Sequence, residues 1–120
     1  MLNVPATVSI FLCTQPTDMR RGFDGLSTMV EQMLEQDPFS GHLFVFRNLR
    51  KDRIKVLYWD RDGYALWYKR LEKGVFRFPD DLANRAELRA SDLALLLNGI
   101  DPTKVTRLRR YVRKDARHTA

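Results

Sequence analysis

The sequence predicts an α+β domain: an antiparallel β-meander of four or five strands, one amphipathic helix on its core face and a small C-terminal helical region. Three observations carry that expectation. Four strand-like runs, HLFVFR, RIKVLYW, YALWYKRL and VFRF, follow one another through connections too short for a parallel crossover. Ahead of them, Leu26, Met29, Val30, Met33 and Leu34 recur at helical spacing. Behind them, Leu93, Leu96 and Leu97 lie between Ser91, a candidate N-cap, and Gly99, a candidate C′ residue.

Taken in order, Val8, Ile10 and Leu12 alternate within Thr7 to Thr14 and mark a first strand. Its place in the sheet, beside HLFVFR or at the other edge, does not follow from the pattern. The loop QPTDMRRGFDG leads into the first helix, with Asp24 as a plausible N-cap and Asp37-Pro38 as the stop. Residues 1–101 then form one domain, and residues 102–120 form a basic tail or helix. That tail holds Lys104, Arg107, Arg109, Arg110, Arg113, Lys114 and Arg117 opposed only by Asp115. A thin stripe of Val105, Leu108 and Val112 suits a helix ordered on a partner.

Composition narrows the function. At 120 residues the chain has room for one core. Its 21 Lys and Arg against 15 Asp and Glu give a net charge of +6, which suits a polyanionic partner. Cys13 is the sole cysteine, so an internal disulfide is excluded. The N-terminal apolar run lacks a basic flank and a cleavage site, and no run approaches the ~20 residues of a membrane helix. A soluble, cytoplasmic protein without a membrane partner is expected.

Strand register decides what the many rings and cations do. Asp62-Gly63 at the centre of a tight hairpin sets Trp59 opposite Leu66, Tyr58 opposite Trp67, Leu57 opposite Tyr68 and Lys55 opposite Arg70. Lys73-Gly74 treated alike sets Arg70 against Arg77. Closing the first hairpin about Arg50 sets Val45 against Lys55 and Arg47 against Arg53.

One face then gathers Phe44, Phe46, Ile54, Val56, Tyr58, Ala65, Trp67, Leu71, Phe76 and Phe78, with His42 and Lys69 as its polar members. This is the expected core face, under the Leu26–Leu34 stripe. The other gathers Arg47, Arg53, Lys55, Arg70 and Arg77 with Trp59, Tyr68, Leu43, Val45, Leu57 and Leu66. Lys55, Arg70 and Arg77 would stand side by side, an arrangement that a bound anion relieves. The same cations equally suit a solvated face whose aliphatic stems shield apolar surface.

Other motifs yield less. Arg20, Arg21 and Gly22 precede a helix N-terminus, where backbone N–H groups favour anions. Asp18 and Asp24 in the same loop make internal pairing the simpler reading. Asp60-Arg61-Asp62-Gly63 opens like a calcium loop but lacks the closing Glu, so turn chemistry explains it. Pro79-Asp80 and Glu87-Leu88-Arg89 only faintly echo a nuclease core, with Arg where Lys is expected. With His42, His118 and Cys13 scattered, no zinc constellation, nucleophile pair or Walker loop is spelled out. No catalytic residue, metal or cofactor is assigned.

The blocks PTDMRRGFDGL, DPFSGHLFVFRN and DRIKVLYWDRDGYALWYKRLEKGVFRFP, with LALLLNGID after them, resemble the insertion sequence 66 accessory-protein family usually called TnpB. That family is distinct from the RNA-guided nucleases sharing the name. The resemblance runs from about residue 10 to Asp101 and leaves the tail outside. Asp18, Arg20, Gly22, Phe23, Asp24, Gly25, Ser40, Gly41, Trp59, Asp60, Tyr68, Lys69 and Arg70 match its pattern, while NLRK and FPDDLANRAELRAS depart from it. It implies a non-enzymatic accessory role in transposing a bacterial mobile element, beside a separate acidic-triad transposase.

DNA and that transposase are therefore the expected partners, with self-association also open. The candidate DNA contacts are Arg47, Arg53, Lys55, Trp59, Tyr68, Arg70 and Arg77 in the domain and Arg107, Arg109, Arg110 and Arg113 in the tail. The rival expectation is a protein-interaction module acting without DNA, through a patch of Leu43, Val45, Leu57 and Leu66.

Overall fold

A computed structural model describes residue 5 and residues 7–78, 87–88 and 90–99. The α+β class holds. Five strands and two helices occur in the order β1 (Ile10–Leu12), α1 (Phe23–Met33), β2 (Leu43–Arg47), β3 (Arg53–Asp60), β4 (Gly63–Arg70), β5 (Glu87–Leu88) and α2 (Ala90–Asn98). The sheet order is β4-β3-β2-β1-β5.

Only β2, β3 and β4 form the expected meander. The first strand joins beside β2 and runs parallel to it, through Ile10↔Leu43 and Leu12↔Val45. The sheet is therefore mixed. The segment from Thr14 through α1 to His42 is long enough to serve as the crossover that parallel pairing requires. VFRF adds no strand to the sheet. Instead Phe76 and Phe78 are buried, and the Phe76 N–H donates to the Lys51 carbonyl at 2.7 Å. The expected pairing of Arg70 with Arg77 does not form; Arg70 faces Arg53.

Two register corrections reorganise the faces. The β2–β3 connection closes with Phe44↔Leu57, Val45↔Val56 and Arg47↔Ile54, one residue away from symmetry about Arg50. Lys51 takes a φ of 67° to make this turn, whose Asn48 side chain accepts from Arg53 N and donates to Asp52. A one-residue slip exchanges the two faces of β2 relative to β3. The β3–β4 hairpin turns at Arg61-Asp62, with Asp60↔Gly63 closing it. That shift preserves the faces while pairing Trp67 with Val56 and Tyr58 with Ala65, so each large ring meets a smaller neighbour.

Both faces are consequently covered. Leu26, Met29 and Val30 of α1 pack with Cys13, Phe44, Phe46 and Leu57, the side expected to lie open on β3. On the other side Ile10, Leu43, Val45, Ile54 and Val56 meet Phe76, Phe78 and the Leu93, Leu96 and Leu97 face of α2. The expected patch of Leu43, Val45, Leu57 and Leu66 is thus divided between two cores. Continuous apolar runs such as LFVF are the signature of strands buried on both sides.

The helix ends also differ in detail. Gly22, not Asp24, is the N-cap of α1, and Asp24 lies in the first turn, where a carboxylate favours the helix dipole. The helix ends at Met33, and Glu35 adopts a left-handed φ of 52° before Asp37-Pro38 is reached. Ser91 lies inside α2. Gly99 fulfils its role: at φ +75° its N–H donates to Leu96, and a Cβ there would stand 2.6 Å from Leu71 Cδ1.

Candidate nucleic-acid interface

The parallel β1–β2 pair and the meander place the C-terminal ends of β1, β2 and β4 at one end of the sheet, with the start of β3. The loop after β1 continues along β2 at this end, through Thr17 N–H to the Arg47 carbonyl at 2.9 Å. An open groove of about 470 Å³ runs between this loop and the β2–β3 turn, lined by Thr17 to Arg20, Asn48 to Arg50, Asp52 and Arg53. A second depression of about 340 Å³ adjoins it through Arg53, which lines both, and is completed by Tyr68, Arg70 and Glu72.

Lys55 builds the floor of this region. It is 6% exposed, and its Nζ donates to the carbonyls of Met19 and Arg21 at 2.7 and 2.9 Å. The ammonium also lies 4.7 Å from the centroid of the Tyr68 ring, its cross-strand neighbour. Tyr68 Oη in turn accepts from Arg53 Nη1 at 3.0 Å. A buried charge is tolerated because carbonyl oxygens satisfy it. The same bonds tie the Asp18–Gly22 loop to β3.

Carboxylates modulate the cations. Asp18 accepts from the Arg20 backbone N–H and guanidinium, down to 2.7 Å, and this holds its carboxyl at about 2. Glu72 Oε1 accepts from Arg70 Nε and Nη2 at 3.0 and 2.8 Å, raising the arginine further. Asp52 is lowered chiefly by its hydrogen bond from Asn48. Arg50 is exposed in the same groove, and Arg21 and Lys51, next to its lining residues in sequence, are exposed as well.

The candidates within the described residues each have a place. Arg53, Tyr68 and Arg70 come together, and the Arg20 loop joins them although it lies far away in sequence. Lys55 lies beneath that group, so the expected row of Lys55, Arg70 and Arg77 is not formed. Arg47 is half-buried: Nη1 donates to the Phe76 carbonyl at 2.8 Å and the guanidinium lies 3.8 Å from the Phe78 centroid. Burial lowers its pKa. Arg77 is half-buried in the segment after β4.

Trp59 is at the opposite end of the sheet, edge-on to Phe39 and Tyr64 at 5.0 and 5.1 Å. Arg107, Arg109, Arg110 and Arg113 lie outside the described residues. Sequence reasoning missed Arg50 as a member of the site. The signal was available in the NLRKD turn, which follows a strand ending in Arg47.

Among the described residues, no group of three or more His, Cys, Asp or Glu could hold a metal ion. No helix among them is long and apolar enough to cross a membrane.

No solved structure matches the chain. It is 39% identical over 107 residues to uncharacterized protein y4jC of Sinorhizobium fredii, covering 89% of this chain and 92% of the relative. It is 36% identical over 114 residues to uncharacterized protein y4hO of the same organism, covering 88% and 99%. The family model for IS66 Orf2 like protein matches residues 8–107, extending the similarity past Asp101 into the start of the basic tail. The chain belongs to this IS66 Orf2-like family, and its role is that of an accessory protein in the transposition of an insertion sequence.

Proposed function

We propose that the protein is a non-catalytic, cytoplasmic accessory factor that holds DNA at the basic end of its sheet while working beside the element's transposase. The observation that carries this reading is the convergence of Arg20, Arg50, Arg53 and Arg70 around two adjoining open grooves that share Arg53. Guanidinium groups on a fixed frame suit phosphate oxygens, which they can bind in a bidentate fashion. Arg47 and Lys55 support the frame from inside, and the tail arginines add further contacts. The non-catalytic reading draws support from Asp18 and Glu72, which are engaged by Arg20 and Arg70, and from Asp52, which accepts from Asn48.

Binding of a labelled oligonucleotide between ~50 and ~200 mM salt tests it. The wild-type protein should show a steep negative slope, and the folded Arg50→Ser, Arg53→Ser, Arg70→Ser triple variant should flatten it by about two to three contacts. A parallel variant with Arg107, Arg109, Arg110 and Arg113 changed to Ser isolates the contribution of the tail. Undetectable binding by the wild type at low salt sinks the proposal. So does a triple variant that binds like wild type while the tail variant loses all affinity.

A further inference from the structure

We infer that the ligand of the basic end is an unpaired DNA strand, with a base stacked on Tyr68; this rests on the DNA-contact reading above. Phe23, Phe39 and Tyr68 are exposed rings of the domain, and Tyr68, 46% exposed, lines a depression together with Arg53, Arg70 and Glu72. One side of the ring faces the buried Lys55 ammonium, so its accessible surface lies on the side turned away from the core. The hydrogen bond from Arg53 fixes the hydroxyl end.

A ring held at its face and its tip has little freedom left to lose on binding. It offers a flat apolar surface at a place where apolar exposure otherwise gains nothing for folding. Arg53 and Arg70, paired across β3 and β4 beside the ring, can take the phosphates that flank a stacked base. In a duplex the bases are stacked on one another and present only their edges in the grooves. A π-face in a depression walled by guanidinium groups therefore rewards a base that is already free.

The contrast with Trp59 sharpens the assignment. Trp59, Tyr64 and Phe39 are packed against one another, with Phe39 and Tyr64 stacked at 5.6 Å. Trp59 and Tyr64 are half-buried in that cluster, while Phe39 remains 57% exposed.

Anisotropy titrations of the full chain with a labelled 20-nucleotide strand and its duplex test the inference. The single strand should bind more tightly. Tyr68→Ala should weaken single-strand binding by about tenfold and change duplex binding less than about twofold, whereas Tyr68→Phe should retain most of the affinity. A photoreactive bromouracil strand should crosslink at Tyr68. Equal losses on both ligands, or a Tyr68→Ala variant that binds the single strand like wild type, would overturn the stacking site and leave the phosphate contacts standing. Loss of all DNA binding by the wild type would instead remove the DNA-contact reading itself.

Discussion

The two ends of this sheet are built from similar residues and organised in opposite ways. At one end Arg53 and Arg70 line a depression with the exposed ring of Tyr68, and Arg20 and Arg50 line the groove beside it. At the other, Phe39, Trp59 and Tyr64 close on one another, near Glu31, Asp37, Asp60 and Asp62. Tyr64 registers that second environment: burial raises its pKa first, against a hydrogen bond with Ser27, and Glu31, Asp37 and Asp24 raise it further. The difference teaches that aromatic content alone does not identify a binding surface. What matters is which groups a ring meets: other rings, as at Trp59, or cations, as at Tyr68.

The comparison is broken most severely through Lys55. Lys55→Ala removes the ammonium from the carbonyls of Met19 and Arg21 and leaves space beneath Tyr68. Charged hydrogen bonds of this kind are worth about 1.5–3 kcal/mol, so a loss of about 3 kcal/mol is expected in urea unfolding. Lys55→Met keeps the stem and should recover part of it. A cost below about 0.5 kcal/mol for both would mean that the loop is held by other contacts.

Next in size is Trp59→Ala at the other end. It removes two edge-on ring contacts from a half-buried position and should cost about 2 kcal/mol, less than the 3–5 kcal/mol of a fully buried aromatic. DNA affinity should stay within about twofold of wild type once the variant is folded. A large loss of affinity without a loss of stability would give Trp59 the contact role that sequence pattern suggested for it.

These residues also show what the sequence made legible. The α+β class, both helices and the strand positions of β2 to β4 follow from periodicity and turn residues. The basic set Arg53, Arg70 and Tyr68 was identified from pattern because the β3–β4 shift left their common face unchanged. The β2–β3 register was not legible, since a turn of NLRKD type closes with either an odd or an even count. Its Lys51 takes a left-handed φ that favours glycine or asparagine. One slipped residue placed α1 over the side of β3 that the pattern reads as open, and with it changed the roles of Lys55 and Leu57. The parallel pairing of β1, and the meeting of the Arg20 loop with Arg53, depend on tertiary packing that no local signal encodes.

A smaller effect is expected at Glu72. Its carboxylate occupies Arg70, so a DNA phosphate must compete with it. Glu72→Gln keeps the shape and removes the charge, and should tighten DNA binding on the order of two- to fivefold at low salt. The gain should fade as salt rises. Weaker binding in this variant would mean that Glu72 orients the guanidinium productively, and the comparison would then count it among the site's builders.

The smallest effect concerns Asp18, and its sign can be worked out. Its carboxyl is held at about 2 against an ordinary 3.8, first by hydrogen bonds from the Arg20 side chain and then by the Arg20 backbone N–H. A depressed folded-state value means that the pair's stabilisation is fully present above 3.8 and is lost as the pH falls through about 2. Both groups are exposed, so salt should screen the effect. Asp18→Asn should therefore flatten the acid limb of the stability curve only within that window, and an NMR titration of the Asp18 carboxyl should give a midpoint near 2. The same substitution releases Arg20 toward the groove and should raise DNA affinity slightly at neutral pH. If the carboxyl instead titrates at its ordinary 3.8, Arg20 is already free in solution, and Asp18→Asn should leave DNA binding unchanged. The carboxylates of the basic end would then not govern how many of its cations can reach a phosphate.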